Sequence, residues 1–428
     1  MSDGRPVRQA VLLVGGLGSR LGNLTRTTPK PLLPVAGQPF LETLILWLAR
    51  AGVEDIILST GYLAGTFGDF LAGGRASGRW VGPEGAPVTV RESREERPLG
   101  TAGALTLLRG QLDPRFFLVN GDSFLACDPV AVAARAEALP AGHAVMTTRP
   151  VPDTARYGRV ETDAAGRVTG FCEKGVAGPG AINAGLTVLP DRVLDLIDAV
   201  PCSVEQQVYP LLAAAGRLHA VAQRGYFIDI GLPETYAEAQ ETLPRARRRP
   251  ALFLDRDGVL NRDDDGYAHD VARLRLMPGA GRAVALARAA GFRTVVVTNQ
   301  AGIARGYYDV AAMRAFNRAL NIALRAEGGW IDAFYHCPYH PQAAIPALRV
   351  ADHPDRKPNP GMILRAAADL EIELAGSVLI GDRDSDLAAA RAAGVRGLAY
   401  RGGDLAALVE RALAQAAGRD ATAEPGAA

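Results

Sequence analysis

With 428 residues, the chain is longer than one ordinary hydrophobic core organises, so two or three domains are expected. Its 47 Lys and Arg against 46 Asp and Glu leave a net charge near +1, which argues against a broad electrostatic footprint for nucleic acid or an anionic membrane. Scattered cysteines (Cys127, Cys172, Cys202, Cys337), no basic-then-apolar leader before Val11 and no apolar run of the roughly 18–20 residues that spans a bilayer predict a soluble protein of the reducing cytoplasm.

In chain order, residues 10–14 form an apolar run ending in glycines, as a strand buried in a parallel sheet does. Residues 42–51 have a helical pattern, and 56–59 and 116–119 follow as further buried strands. This alternation predicts an α/β three-layer domain that gathers ligand near the carboxyl ends of its strands. A proline-bracketed basic stretch then sets the boundary, giving a first domain over 1–243 and a linker over 244–250. Strands at 251–254, 294–297 and 378–381, with helices at 280–290 and 310–325, predict a second α/β three-layer domain over 251–413. Residues 414–428, rich in Ala, Gly and polar residues, are expected to be a disordered tail.

Two sets of motifs carry chemistry. In Gly15-Gly16-Leu17-Gly18-Ser19-Arg20 the glycines let backbone N–H groups approach a phosphate, and Arg20 adds a charged fork. A ligand-free strand-to-helix turn would use the same glycines. Lys30 between two prolines, the Pro98-Leu99-Gly100-Thr101-Ala102-Gly103 segment, and Asp122 behind Asn120-Gly121 add a fixed cation, a second glycine loop and a strand-end carboxylate.

With Glu173-Lys174, Asn183-Ala184-Gly185 and Asp229-Ile230-Gly231, this ordered set resembles the sugar-1-phosphate nucleotidyltransferases over residues 8–240, and among them the heptose 1-phosphate guanylyltransferases. The resemblance implies that Gly15, Gly16, Gly18, Ser19, Gly100 and Thr101 hold a nucleoside triphosphate, with Arg20 and Lys30 stabilising charge at its α-phosphorus. It also implies that Asp122 and Asp229 share Mg²⁺, and that Tyr157, Gly158, Glu173, Lys174 and Asn183 line a sugar-phosphate pocket. Glu95 falls where the family contacts the base; a carboxylate there accepts from guanine N1–H and the 2-amino group, which favours GTP. The alternative is that Glu95 is one charge among several in 91–97. Transfer requires only that a sugar 1-phosphate oxygen attack the α-phosphorus as pyrophosphate leaves, so positioning and charge neutralisation do most of the catalysis.

The second set begins with Asp255-Arg256-Asp257-Gly258, directly behind the apolar run 251–254. Two carboxylates one residue apart at a strand end suit phosphoryl transfer beside a metal, whereas Val259-Leu260-Asn261 does not continue the ligand alternation of a calcium loop. Thr298-Asn299-Gln300, Arg356-Lys357-Pro358 and Asp382 to Asp386 complete a set that resembles haloacid dehalogenase-type phosphatases. Over 250–402 it is similar to the heptose 1,7-bisphosphate 7-phosphatases, with histidinol-phosphate phosphatases as near relatives. A carboxylate attacking a phosphate dianion needs a cation between the two. Asp255 is then the nucleophile and Asp257 the general acid/base, with Mg²⁺ on Asp255, Asp382 and the Asp257 backbone carbonyl. Thr298, Asn299 and Lys357 are expected at the reacting phosphate, and Arg305 and Arg356 at a more distant one. Asp386 either reaches the metal through water or orients Lys357. Where the family often carries a structural zinc loop, this chain has Cys337, His340, His353 and Asp355, a set unlike common structural zinc, so zinc is not expected.

The whole chain is therefore expected to be a bifunctional enzyme acting on sugar phosphates and a nucleoside triphosphate, using Mg²⁺ in both domains and binding neither nucleic acid nor membrane. The competing expectation pairs a hexose-1-phosphate nucleotidyltransferase with a phosphatase for another small phosphoester, such as histidinol phosphate.

Overall fold

The computed structural model describes residues 6–172, 175–264 and 266–420, the last five by backbone alone. It divides into two compact units, with the change falling after Ala246.

The first unit is built on a nine-stranded mixed sheet. Its parallel part runs Arg115–Asn120, Gln9–Leu13, Asp55–Thr60, Thr89–Arg94, and the long Gly180–Pro190 strand pairs antiparallel with Arg115–Asn120. Side chains alternate across this sheet. Leu12, Ile56, Leu58, Phe117 and Val119 enter one buried cluster, and Val11, Ile57, Phe116 and Leu118 enter the other. Apolar runs without polar alternation are what a sheet covered on both faces requires.

The second unit has a five-stranded, wholly parallel sheet in the order Ala333–Cys337, Arg293–Asn299, Ala251–Leu254, Val378–Gly381, Arg396–Ala399. Leu252, Leu254, Val296 and Ile380 pack on one face, and Phe253, Val295, Val297 and Leu379 on the other. Strand order, not chain direction, reverses beside Ala251–Leu254, so crossovers leave opposite faces there and open a crevice at the strands' carboxyl ends.

Two sequence expectations need correction. Residues 244–247 are not linker: the Pro233–Arg247 helix runs through Pro244, carried by the buried Ala239 and Leu243 one turn apart. Pro244 removes one N–H donor from the ladder, but only in the last turn, and the burial of Leu243 outweighs it, whereas composition alone marked it as a break. Nor does a tail begin at 414, because a helix spans Leu405–Asp420 and packs Val409 and Ala412 into the core. Its alanines, taken as low complexity, are the strongest helix formers. Residues 421–428 lie outside the described residues. Among the described residues no helix is long and apolar enough to cross a membrane.

Candidate active sites

In the first unit the glycine loop leaves the end of Gln9–Leu13, and Asn120-Gly121-Asp122 leaves the end of its neighbour. Gly121 is required there: its N–H donates to Leu13 O at 3.0 Å, and an added Cβ would lie 2.6 Å from that oxygen. A two-stranded ribbon then brings two distant carboxylates together. Phe227–Asp229 pairs with Ser123–Leu125, and Ile230 N donates to Asp122 O at 2.9 Å. Lys30 Nζ pairs with the Asp122 carboxylate, Arg156 Nη2 lies 3.3 Å from Asp229 Oδ2, and Gly231 N donates to Asp229 Oδ1 at 2.7 Å. Burial, with Asp122 adding to it, raises the Asp229 carboxyl above the usual range despite these partners. Two facing carboxylates with hard oxygen donors fit Mg²⁺, which usually takes one or two protein carboxylates beside substrate phosphates.

Gly18, Ser19, Arg20, Lys30, Asp122 and Asp229 line one cleft. Asp122 also borders a second, larger one, lined by Gly15, Gly16, Glu95, Gly100 and Thr101. Glu95 Oε2 accepts the Leu99 amide at 2.9 Å, and a side chain at Gly61 would come within 2.5 Å of its other oxygen. Gly100, at φ +78°, approaches Cys202 so closely that a Cβ would lie 2.4 Å from its carbonyl. Thr101 Oγ1 accepts the Val204 amide at 2.8 Å.

The expected sugar-pocket residues are less gathered. Tyr157 packs edge-on against Phe227 beneath the Arg156 guanidinium, Gly158 follows at φ +78°, and Asn183 Oδ1 accepts the Gly185 amide. None of the three borders these two clefts. Glu173 and Lys174 lie outside the described residues. Arg156, which ties Tyr157 to Asp229, carries no motif and went unnoticed in the sequence.

In the second unit, Asp255 follows Ala251–Leu254 and Asp382 follows the adjacent Val378–Gly381, at the crevice. Close approach is again secured by glycine, since a Cβ at Gly258 would lie 2.5 Å from Asp382 Oδ2. Lys357 is buried and its Nζ lies 2.9 Å from Asp255 Oδ1, 2.6 Å from Asp386 Oδ1 and 2.9 Å from Val297 O. Burial alone would lower the Lys357 pKa, but Asp255 and Asp386 outweigh it and hold the ammonium above its ordinary value. Burial pushes Asp255 up to about 6, Asp386 and Asp257 adding to it and Lys357 opposing.

Carboxylate oxygens of Asp255, Asp382 and Asp386 all lie within 4.8 Å of one another. Asp382 Oδ1 is buried without a hydrogen-bond partner, and burial followed by Asp386 raises its pKa. An orphaned oxygen in an acidic, all-oxygen cluster fits Mg²⁺. Among the described residues, no other group of three or more His, Cys, Asp or Glu converges in this way. Near Cys337, the His353 ring stacks on Tyr339 and accepts the Asp355 amide, while Asp355 pairs with Arg365.

Asp257 is held differently. Arg256, fully buried between the two aspartates, forks onto both its oxygens at 2.9 and 3.0 Å. Asn261 and Gln300 each donate to it as well, at 3.0 and 2.9 Å. Gln300 also donates to Thr298 Oγ1 and accepts from Tyr308 OH. Asn299 holds the Lys357 backbone through both its amide N–H and its carbonyl. Arg305 and Arg356 line the same cleft as Asp255, Asp257, Thr298, Asn299 and Lys357. Arg256 and Gln300 lie inside the sequence motifs without an assigned role there, and Tyr308 is not singled out, because what these side chains do depends on burial and not on motif spacing.

The chain matches the family model described as nucleotidyl transferase over residues 9–246, and the HAD-hydrolase-like model over residues 355–421. It is 43% identical over 169 residues to a D-glycero-beta-D-manno-heptose-1,7-bisphosphate 7-phosphatase of Rhodopseudomonas palustris, a match covering 39% of this chain and 92% of that protein. A Burkholderia mallei phosphatase for the alpha anomer is 44% identical over 145 residues, 34% of this chain and 76% of its own. A mannose-1-phosphate guanylyltransferase of Mycobacterium tuberculosis is 35% identical over 241 residues, 55% of this chain; the chain spans 64% of that protein's length. Glycine loop, paired carboxylates, acidic cluster and relatives agree: the chain belongs to the nucleotidyl transferase family in its first unit and to the haloacid dehalogenase-type phosphatases in its second, both enzymatic.

Proposed function

We propose that the protein makes a nucleotide-activated heptose in two consecutive steps. The second unit removes the 7-phosphate of D-glycero-D-manno-heptose 1,7-bisphosphate, and the first transfers GMP from GTP to the remaining 1-phosphate, releasing pyrophosphate. The observation that carries this reading is the pairing, on one chain, of a heptose-bisphosphate phosphatase relative with a nucleotidyl transferase unit whose relatives include guanylyltransferases.

Asp255, Asp382 and Asp386 would hold Mg²⁺ in the second unit, and Asp122 and Asp229 in the first; bound there, the ion neutralises phosphate charge. The Arg256 amide and Lys357 both meet Asp255 Oδ1. Asp255 Oδ2 then attacks phosphorus, the bond from phosphorus to the C7 oxygen breaks, and Asp257 gives that oxygen a proton. Asp257 next takes a proton from the water that hydrolyses the aspartyl-phosphate, releasing phosphate. In the first unit Arg20 and Lys30 stabilise the α-phosphorus, while Glu95 faces the base, Gly100 and Thr101 shape its loop, and Tyr157, Gly158 and Asn183 serve the sugar side.

Incubation with heptose 1,7-bisphosphate, GTP and Mg²⁺ is expected to release phosphate and pyrophosphate and yield GDP-heptose. Conversion of a hexose 1-phosphate with no reaction of the heptose bisphosphate would overturn the proposal. That second reading is favoured by the likeness to mannose-1-phosphate guanylyltransferases, so mannose 1-phosphate belongs in the same assay. The two phosphatase relatives, 43% and 44% identical to this chain, name opposite anomers; the guanylyl branch favours the alpha form, and each anomer should be assayed separately.

A further inference from the structure

The phosphatase cleft contains a backbone outlier. Tyr267, a bulky aromatic residue, sits at φ +60°, in the left-handed region that favours glycine. Such a conformation persists only where its surroundings over-determine it, and here they do. The ring N–H of His269 donates to Tyr267 O at 2.6 Å. The next carbonyl, of Ala268, accepts from Arg256, the buried arginine that also grips Asp257. His269 itself stacks on Tyr308 at 4.6 Å, and Tyr308 bonds Gln300, which bonds Asp257. The strained turn is thus pinned to the acid/base machinery.

Its side chain does something separate. The Tyr267 ring borders the cleft that holds Asp255 and Lys357, stands edge-to-face with Tyr307 at 4.9 Å, and carries the Arg305 guanidinium 5.7 Å from its centroid. Arg305 Nε is buried with no hydrogen-bond partner, so the guanidinium is held by the ring with donor capacity unspent. We infer that Tyr267 is a positioning residue for substrate selectivity: its strained backbone presents the ring that fixes Arg305 toward a second anionic group of the substrate, remote from the phosphate being cleaved. This rests on the proposed bisphosphate substrate and explains how the site would favour it over a monophosphate undergoing the same reaction.

The test compares kcat/KM for heptose 1,7-bisphosphate and heptose 7-phosphate in the full chain. Tyr267→Gly relieves the backbone strain, so its melting temperature should hold or rise. The bisphosphate preference should nevertheless fall about tenfold, mainly through KM, as expected when a charge-assisted contact loses its geometry. Tyr267→Phe, which keeps the ring, should retain the preference. Arg305→Gln should lose it, and the double variant Tyr267→Gly/Arg305→Gln should lose little more. A purely structural residue would change the melting temperature and leave the substrate ratio alone. A Tyr267→Gly enzyme that stays folded and keeps the wild-type ratio would overturn the role of Tyr267 alone. A wild-type enzyme with no preference for the bisphosphate would overturn the substrate reading, and this inference with it.

Discussion

Asp255 Oδ1 is occupied by the Arg256 amide and the Lys357 ammonium, so an isosteric replacement keeps the packing and removes only the anion. We predict that Asp255→Asn lowers phosphate release by roughly 10³-fold or more, because an amide is no nucleophile. Lys357 stays compensated by Asp386, so the fold should survive, and nucleotidyl transfer by the same sample serves as the control. Phosphatase turnover within tenfold of wild type would remove Asp255 from the nucleophile's place. At this scale the sequence was informative where chemistry is written in contiguous residues: Asp255 and Lys357 line one cleft, and Lys30 and Asp122 line another. It assigned no role to Arg256, whose importance comes from having no solvent exposure and five hydrogen bonds to four partners, Asp257, Asn317, Ala268 and Gln300.

The strands of the second unit are joined by polar contacts as well as by apolar faces. Asp332, buried just ahead of Ala333–Cys337, accepts from Thr294 N at 2.9 Å and from Arg288 Nη1 at 2.7 Å, stitching its strand to Arg293–Asn299. Burial raises its carboxyl, but Arg288, Arg293 and the hydrogen bonds outweigh that and hold it below the ordinary range. A folded pKa below the unfolded one gives stability that is present above the unfolded value, about 3.9, and is lost as pH falls through the folded value. Asp332→Asn should therefore cost roughly 3 kcal/mol near neutral pH, by leaving Arg288 buried without its anion. It should also flatten the acid limb of the stability curve. Denaturant titrations at pH 7 and below pH 4 check both; parallel curves for the two proteins would exclude this linkage. Element type was legible from the apolar runs, yet the linker over 244–250 and the tail from 414 were drawn across the Pro233–Arg247 and Leu405–Asp420 helices. Proline and alanine-rich composition outweighed, on paper, the burial of Leu243, Val409 and Ala412.

For the whole molecule, the acidic groups at both sites predict metal dependence. Chelation by EDTA should abolish phosphate and pyrophosphate release together, and excess Mg²⁺ should restore both. Because the ion binds only the folded arrangement of Asp255, Asp382 and Asp386, saturating Mg²⁺ at about 100 times its dissociation constant should add roughly 2.7 kcal/mol to the stability of that unit. A melting transition indifferent to Mg²⁺ would count against the cluster as a metal site. The sequence by itself determined the two α/β units and the chemistry of their motifs, because apolar runs, glycine loops and strand-end carboxylates are properties of contiguous residues. Only the tertiary structure decided how the carboxylates that the resemblance paired are brought together, and that Asp386 joins them. Asp122 meets Asp229 through a short antiparallel ribbon, and Asp386 joins Asp255 and Asp382 because Val378–Gly381 lies beside Ala251–Leu254. Strand order and burial arise from packing between segments far apart in the chain, and the desolvation that raises the Asp255 carboxyl, opposes the Lys357 ammonium until Asp255 and Asp386 outweigh it, and strengthens the Arg256 grip on Asp257 exists only once that packing is made.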